Sequence, residues 1–312
     1  MGLTHFDEAN SNAFEVGHIR GTWSYLGESA GCRTVGVRRI QLPEGAWSTP
    51  AHEHGREEEI FYVLAGRGIS WQRGKTAEVS AGDCIVYLPR RGAHTIHALE
   101  GGIDLLAFGP REYDESVRFP RLGMSLVGSR FVESVPGSLD GVPLQFVRES
   151  ELGAPELPAE PGVRPQTIVN IANVEAEPVD RPRVAGIWRD LGAAVGSRST
   201  GLQHVAVAPG KLGCPRHCHS LEEEIFVMLD GDGIALIGDE EVPVRSGHVI
   251  ARPAATGKAH AFRGGTAGLT YLAYGPRFPN DICYYPDSNK ILFGGVGLVA
   301  RLEPLDYWDG ED

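Results

Sequence analysis

The chain has 312 residues, is 42% hydrophobic and 22% charged, and carries a formal net charge of −12. This is ordinary globular composition with room for about two domains. The acidic balance argues against a nucleic-acid partner, which selects for Lys and Arg, and against binding to anionic membranes.

The opening segment, "MGLTHFDEAN", has no apolar stretch behind a basic start, so no signal peptide is expected, and Phe6 breaks the myristoylation pattern. No apolar run approaches the ~18 residues of a spanning helix. The five cysteines (Cys32, Cys84, Cys214, Cys218, Cys283) include no C-x-x-C pair, which argues against a disulfide framework and for a cytoplasmic address. Further along, "EIFYVLAGRG", "GDCIVYLP" and "IDLLAFGP" read as short strands between Gly-rich turns, whereas residues 112–150 give no decisive pattern. Residues 153–165, "GAPELPAEPGVRP", hold four prolines and read as an extended linker. Beyond it, "EIFVMLDGDG", "GHVIARP" and "LTYLAYGP" answer the three earlier strands.

That correspondence is a repeat. A shift of 165 places Gly21 and Trp23 on Gly186 and Trp188, Gly45 on Gly210, Gly66 on Gly231, and Gly82 on Gly247. One more residue of shift places "LAFGPR" on "LAYGPR". A repeat this long is a duplicated domain rather than a solenoid unit. The expected division is 1–150 for an N-terminal barrel with flanking segments and 151–312 for a C-terminal barrel with an extension. The expected fold class is all-β, because many short strands with Gly-rich turns point to antiparallel barrels or sandwiches.

The chemistry sits in "HEHGREEEIF" (52–61) and "HCHSLEEEIF" (217–226). Residues two apart on a strand share a face, so His52 and His54 project together, as do His217 and His219. Glu59 and Glu224 follow at odd parity and converge on the histidines only if a turn or bulge intervenes. A third histidine from another strand, His94 or His260, completes each set. Three imidazoles and a carboxylate make a mid-series divalent site with open positions. Surface histidines and solvated Glu runs have no reason to keep register across a duplication. Cys218 faces away between two ligands, and Cys214 shares its parity; both read as small buried residues. Phe61, Val63, Phe226 and Met228 should point inward. Arg90 and Arg91 offer an anion-holding rim at the first mouth, although a solvated turn is the commoner role for such a pair. The stretch 277–293 suggests a cover for a barrel mouth or a dimer contact.

These motifs resemble those of the cupin superfamily, and their duplication resembles a bicupin. The first cupin motif is matched by Gly45, His52, His54, Glu59 and Gly66, and by Gly210, His217, His219, Glu224 and Gly231, each with one extra residue before the first His. The looser second motif is matched by Gly82, Pro89, Gly92 and His94, and by Gly247, Pro253, Gly257 and His260, without its terminal Asn. The resemblance implies two tandem jelly-roll (double-stranded β-helix) barrels with two divalent metals per chain. Mn2+ or Fe2+ is favoured, with Zn2+, Ni2+, Co2+ or Cu2+ as substitutes. It further implies a metal-dependent oxidoreductase of the dioxygenase type acting on a small enolic, catecholic or keto-acid substrate, with Glu59 and Glu224 as catalytic bases. Alternatives are a metal-dependent isomerase or lyase, and a non-catalytic metal or small-molecule binder. Oxalate decarboxylases of this superfamily place an Arg three residues before the first motif His, where this chain has Thr49 and Cys214. The expected partners are a small-molecule substrate and a second copy in a homodimer or larger homo-oligomer.

Overall fold

The computed structural model describes residues 2–127, 130–133, 138–139 and 144–311. Alternation along the long strand Glu59–Gln72 explains the architecture. Ile60 and Tyr62 face one way and Phe61 and Val63 the other, and each set is buried in a different apolar cluster. The strand Glu224–Ile237 repeats this, with Ile225 and Val227 on one side and Phe226 and Met228 on the other.

The expected all-β class holds, as two antiparallel barrels. The first is built on the order 168–170, 83–87, 59–72, 94–110, 35–42, 19–24, 11–16, with 75–80 added beside 59–72. The second follows the order 2–5, 248–252, 224–237, 260–276, 200–207, 185–190, 177–180, with 240–245 beside 224–237. Phe61, Val63, Ile96 and Leu105 fill the inside of the first, and Phe226, Met228, Phe262 and Tyr271 that of the second. The outward faces meet in a shared core in which Phe108 and Tyr274 lie 5.1 Å apart.

The barrels exchange strands within the chain. Gly2–His5 pairs with His248–Arg252 of the C-terminal sheet, and Ile168–Asn170 pairs with Asp83–Tyr87 of the N-terminal sheet. The proline-rich connection packs back on the first barrel, where Arg164 pairs with the fully buried Asp83 at 2.6 Å.

Bulges bend each long hairpin, and glycine is needed there. Gly66 and Gly231 have φ of 79° and 76°, and a Cβ would meet a facing carbonyl oxygen at 2.2 and 2.3 Å. The ambiguous stretch 112–150 contains strands Ser116–Phe119 and Met124–Val127 and the helix Leu144–Leu152. Strand Ser116–Phe119 pairs with Glu53–His54, and Ile282–Tyr285 pairs with Cys218–His219. Within 277–293, strand Ile282–Tyr285 therefore lies beside the ligand strand of the second barrel. No described helix is long and apolar enough to cross a membrane.

Candidate metal centres

Each set of predicted residues comes together at a barrel mouth. The backbones of His52 and His94 exchange hydrogen bonds of 3.1 and 2.8 Å, which sets their rings on one face. His217 and His260 do the same at 3.1 and 2.7 Å. A turn over 55–58 ends the short strand Glu53–His54 and resets parity, so Glu59 opens the next strand pointing back at the histidines. Its Oε2 lies 2.7 Å from His94 Nε2, 3.3 Å from His54 Nε2 and 3.6 Å from His52 Nε2. Glu224 Oε2 lies 2.9 Å from His260 Nε2 and 3.4 Å from His219 Nε2.

These donors fit a divalent cation. His54 Nε2, His219 Nε2, His260 Nε2 and Glu224 Oε2 are buried without an aligned hydrogen bond, even though the last two are 2.9 Å apart. Neutral imidazoles with one carboxylate are the donor chemistry of a mid-series metal. The charges agree. Burial alone would raise the Glu59 pKa, but His54, His52 and His94 hold it well below the carboxylate range. The same balance holds Glu224 down at about 2. Burial lowers His94 and His217 to about 4, which keeps both neutral as ligands require.

The nitrogens facing away are also held. His52 Nδ1 lies 3.0 Å from Pro50 O, and His217 Nδ1 2.8 Å from Pro215 O. Such contacts orient Nε2 towards the centre. His219 Nδ1 lies 2.6 Å from Asp281, whereas His54 Nδ1, 3.6 Å from Glu115, is within ion-pair reach but beyond hydrogen-bond length. Both carboxylates also accept backbone N–H groups of the intervening turn, Gly55 to Glu115 and Leu221 to Asp281. Sequence reasoning missed this pair, although a signal was present: Glu115 and Asp281 are 166 apart, the shift that aligns "LAFGPR" with "LAYGPR". Partners of this kind typically govern about 10–100-fold in metal affinity. Glu115→Ala and Asp281→Ala are each expected to weaken metal at their own site by about that factor while leaving the other site unchanged, as read by competition with a chromogenic chelator.

Each Glu triplet has three separate tasks. Glu57 accepts the N–H of Glu112 at 2.7 Å, as Glu222 does that of Phe278. Glu59 and Glu224 meet the histidines. The middle residues are 2% exposed and cross to the opposite barrel. Glu58 accepts the N–H groups of Arg198 and Ser199 and the Ser197 hydroxyl. Glu223 accepts the N–H groups of Arg33, Thr34 and Val35 and the Thr34 hydroxyl.

A cavity of about 690 Å3 stands over the first site, and Phe61, Phe119 and Phe146 help to wall it. Tyr87 stacks on His94 at 3.8 Å and 9°. Arg90 and Arg91 are exposed turn residues outside this lining, and Arg90 is engaged with Gly55 O at 2.8 Å. The first mouth instead carries Arg38, 5.5 Å over Trp23 and 5.3 Å over Tyr25. In the second barrel position 203, which corresponds to Arg38, is Gln203.

The sequence model of the cupin domain matches residues 38–105 and 203–272, one stretch in each barrel. An oxalate-binding protein of Thermotoga maritima is 42% identical over 45 residues, which is 14% of this chain and 36% of that relative. Oxalate decarboxylase from Bacillus subtilis has a similar fold. Its structure at pH 4.6 gives a TM-score of 0.55 at 15% identity, over 88% of this chain and 75% of that one. A structure of the same enzyme studied for its Mn(II) centres gives 0.55 at 16% identity, over 88% and 76%.

Proposed function

We propose, from the premise that this chain is a bicupin, that it is a metal-dependent enzyme. Its N-terminal barrel would take a small enolic, catecholic or keto-acid substrate that chelates the metal. One observation carries this reading: His52, His54, Glu59 and His94 lie in the lining of the aromatic-walled cavity of about 690 Å3, the size range of small-ligand sites.

A divalent metal held there supplies Lewis acidity towards substrate oxygens and, as Mn or Fe, a centre for O2 chemistry. The protein's own groups do the rest. Phe61, Phe119 and Phe146 exclude water around the bound ring or chain. Arg38 draws an anionic group to the mouth, by an amount that salt screens. Glu59 would help to hold the metal, and its carboxylate, facing the same cavity, would accept the substrate hydroxyl proton. Thr49 and Cys214 stand where the oxalate-decarboxylase resemblance calls for arginine, which favours the oxygenase reading over decarboxylation. The test is elemental analysis of protein from its native host, followed by O2-uptake assays with enols, catechols and keto acids and a CO2-release assay with oxalate. Bound Mn or Fe with O2 uptake is expected. CO2 release from oxalate without O2 consumption would replace the reading by a decarboxylase, and a protein without metal after reconstitution would end it.

We also propose self-association. Val296, Leu298, Val299, Leu305, Tyr307 and Trp308 are 54–85% exposed near the C-terminus, and apolar surface of this kind gains from being covered. Light scattering is expected to give at least twice the 33.6 kDa of one chain, and the monomer mass refutes it.

A further inference from the structure

The two metal centres share a ligand set but not the residues that face it from the covering strands. Strand Ile282–Tyr285 pairs with Cys218–His219 in a register that puts Cys283 directly opposite His219. Residues opposite each other on an antiparallel ladder project to the same face. Cys283 therefore points where His219 points, towards the centre of the second site. Its sulfur and one ring nitrogen each of His217 and His219 all lie within 4.8 Å of one another. Cys283 is 5% exposed, and its sulfur and the Tyr285 hydroxyl are hydrogen-bond partners. In the first barrel the corresponding pairing sets Val117 opposite His54. Tyr285 is likewise replaced there by Phe119, 6.1 Å from His52.

An independent observation points to a bound cation at the second centre. His260 is 2% exposed, and its Nε2 is buried without an aligned hydrogen bond, as are His219 Nε2 and Glu224 Oε2. The other nearby thiols are placed differently. Cys214 Sγ lies 3.7 Å from His217 Nδ1, the nitrogen turned towards Pro215 O and away from the centre. Cys218 alternates with the two histidines and faces outward.

We propose that Cys283 is a fifth protein ligand of the C-terminal metal, making that centre a mixed nitrogen, oxygen and sulfur site beside an all-nitrogen-and-oxygen site in the N-terminal barrel. The inference rests on the metal-centre reading above and deepens it. On binding, the thiol proton passes to solvent and a sulfur lone pair forms the bond to the metal, with no change of oxidation state. Thiolate is a soft donor that favours Zn and other later metals, whereas the first donor set suits Mn or Fe. The two barrels of one chain thus select different metals.

The test uses the full chain, stripped with a chelator and titrated with Co(II). Wild-type protein should bind two cobalt ions and develop a near-ultraviolet thiolate-to-cobalt charge-transfer band as one of them binds. Cys283→Val, which installs the side chain found at position 117, should lose the band while keeping the visible cobalt absorption of the first site. Its C-terminal Zn affinity should fall by about tenfold or more, at least the effect of losing an outer partner. Cys214→Ser should keep the band. Two bound cobalt ions with no such band in the wild type, a measurement that needs no variant to fold, overturn the proposal. So does a band that survives Cys283→Val or disappears in Cys214→Ser. Failure of any cobalt to bind, by elemental analysis and visible absorption, overturns the metal-centre reading itself and is distinct from the other outcomes.

Discussion

Glu59→Gln is expected to remove the N-terminal metal and to lower turnover by roughly 100-fold or more, the range of a positioned acid–base group. The carboxylate is the one anionic donor in the first set, and its Oε2 sits within 3.6 Å of all three ligand nitrogens. An amide of the same shape offers a neutral oxygen and leaves the cluster without the charge that a divalent cation needs. Glu224→Gln should also cost one metal, at the other site, while leaving most of the turnover. The reason lies inside the barrels. At the positions where the first holds Ile96 and Leu105, the second holds Phe262 and Tyr271, all of them buried. The cavity of about 690 Å3 stands over the first set, and Ile96 lies in its lining. Steady-state kinetics with metal analysis on both variants checks the assignment, which is reversed if Glu224→Gln is the more damaging in the same assay.

The second large effect concerns stability. Glu58→Ala and Glu223→Ala are each expected to destabilise the chain by about 3 kcal/mol. Each deletion strands several buried N–H groups that now meet a carboxylate, and an unsatisfied buried donor costs on the order of 1–3 kcal/mol. At this chain length that corresponds to a fall of roughly 5–10 °C in melting temperature. The two clasps are reciprocal. Glu58 of the first barrel holds the turn after the helix Leu191–Val195, and Glu223 of the second holds the turn after Leu26–Ser29. Both flank the core shared by the barrels, so the double variant should lose a different amount from the sum of the singles. Metal content at pH 7 should stay at the wild-type level, since these residues alternate with the ligands and face the other way. Melting temperatures unchanged from the wild type would show that water replaces the clasps without cost.

The metal sets were legible in the sequence because strand geometry is local. A His-x-His pair shares a face whatever the rest of the chain does, and the need for a reset of parity before Glu59 was visible in the spacing alone. Duplication supplied the second half of the argument, since matched spacing across a 165-residue shift is not a property of solvated surface. The same local reasoning assigns no separate task to the other residues of the "EEE" run. Only the folded chain divided it, because residues 57 and 59 serve their own barrel while residue 58 is aimed at a neighbour that no local pattern names. Arg38 shows the same limit: Arg90 and Arg91 are close to His94 along the chain, but it is Arg38 that lies in the cavity lining.

What the sequence by itself determined was the barrel class, the repeat, the ligand spacing and the inward face of Phe61 and Phe226. The tertiary structure alone decided that residues 2–5 and 168–170 complete the opposite barrels, that Glu115 and Asp281 stand behind the histidines, and that Cys283 faces the second centre. The physical reason is the same in each case. Periodicity records which face of its own strand a side chain takes, whereas the strand that lies opposite is chosen by long-range pairing and by the closure of the barrel.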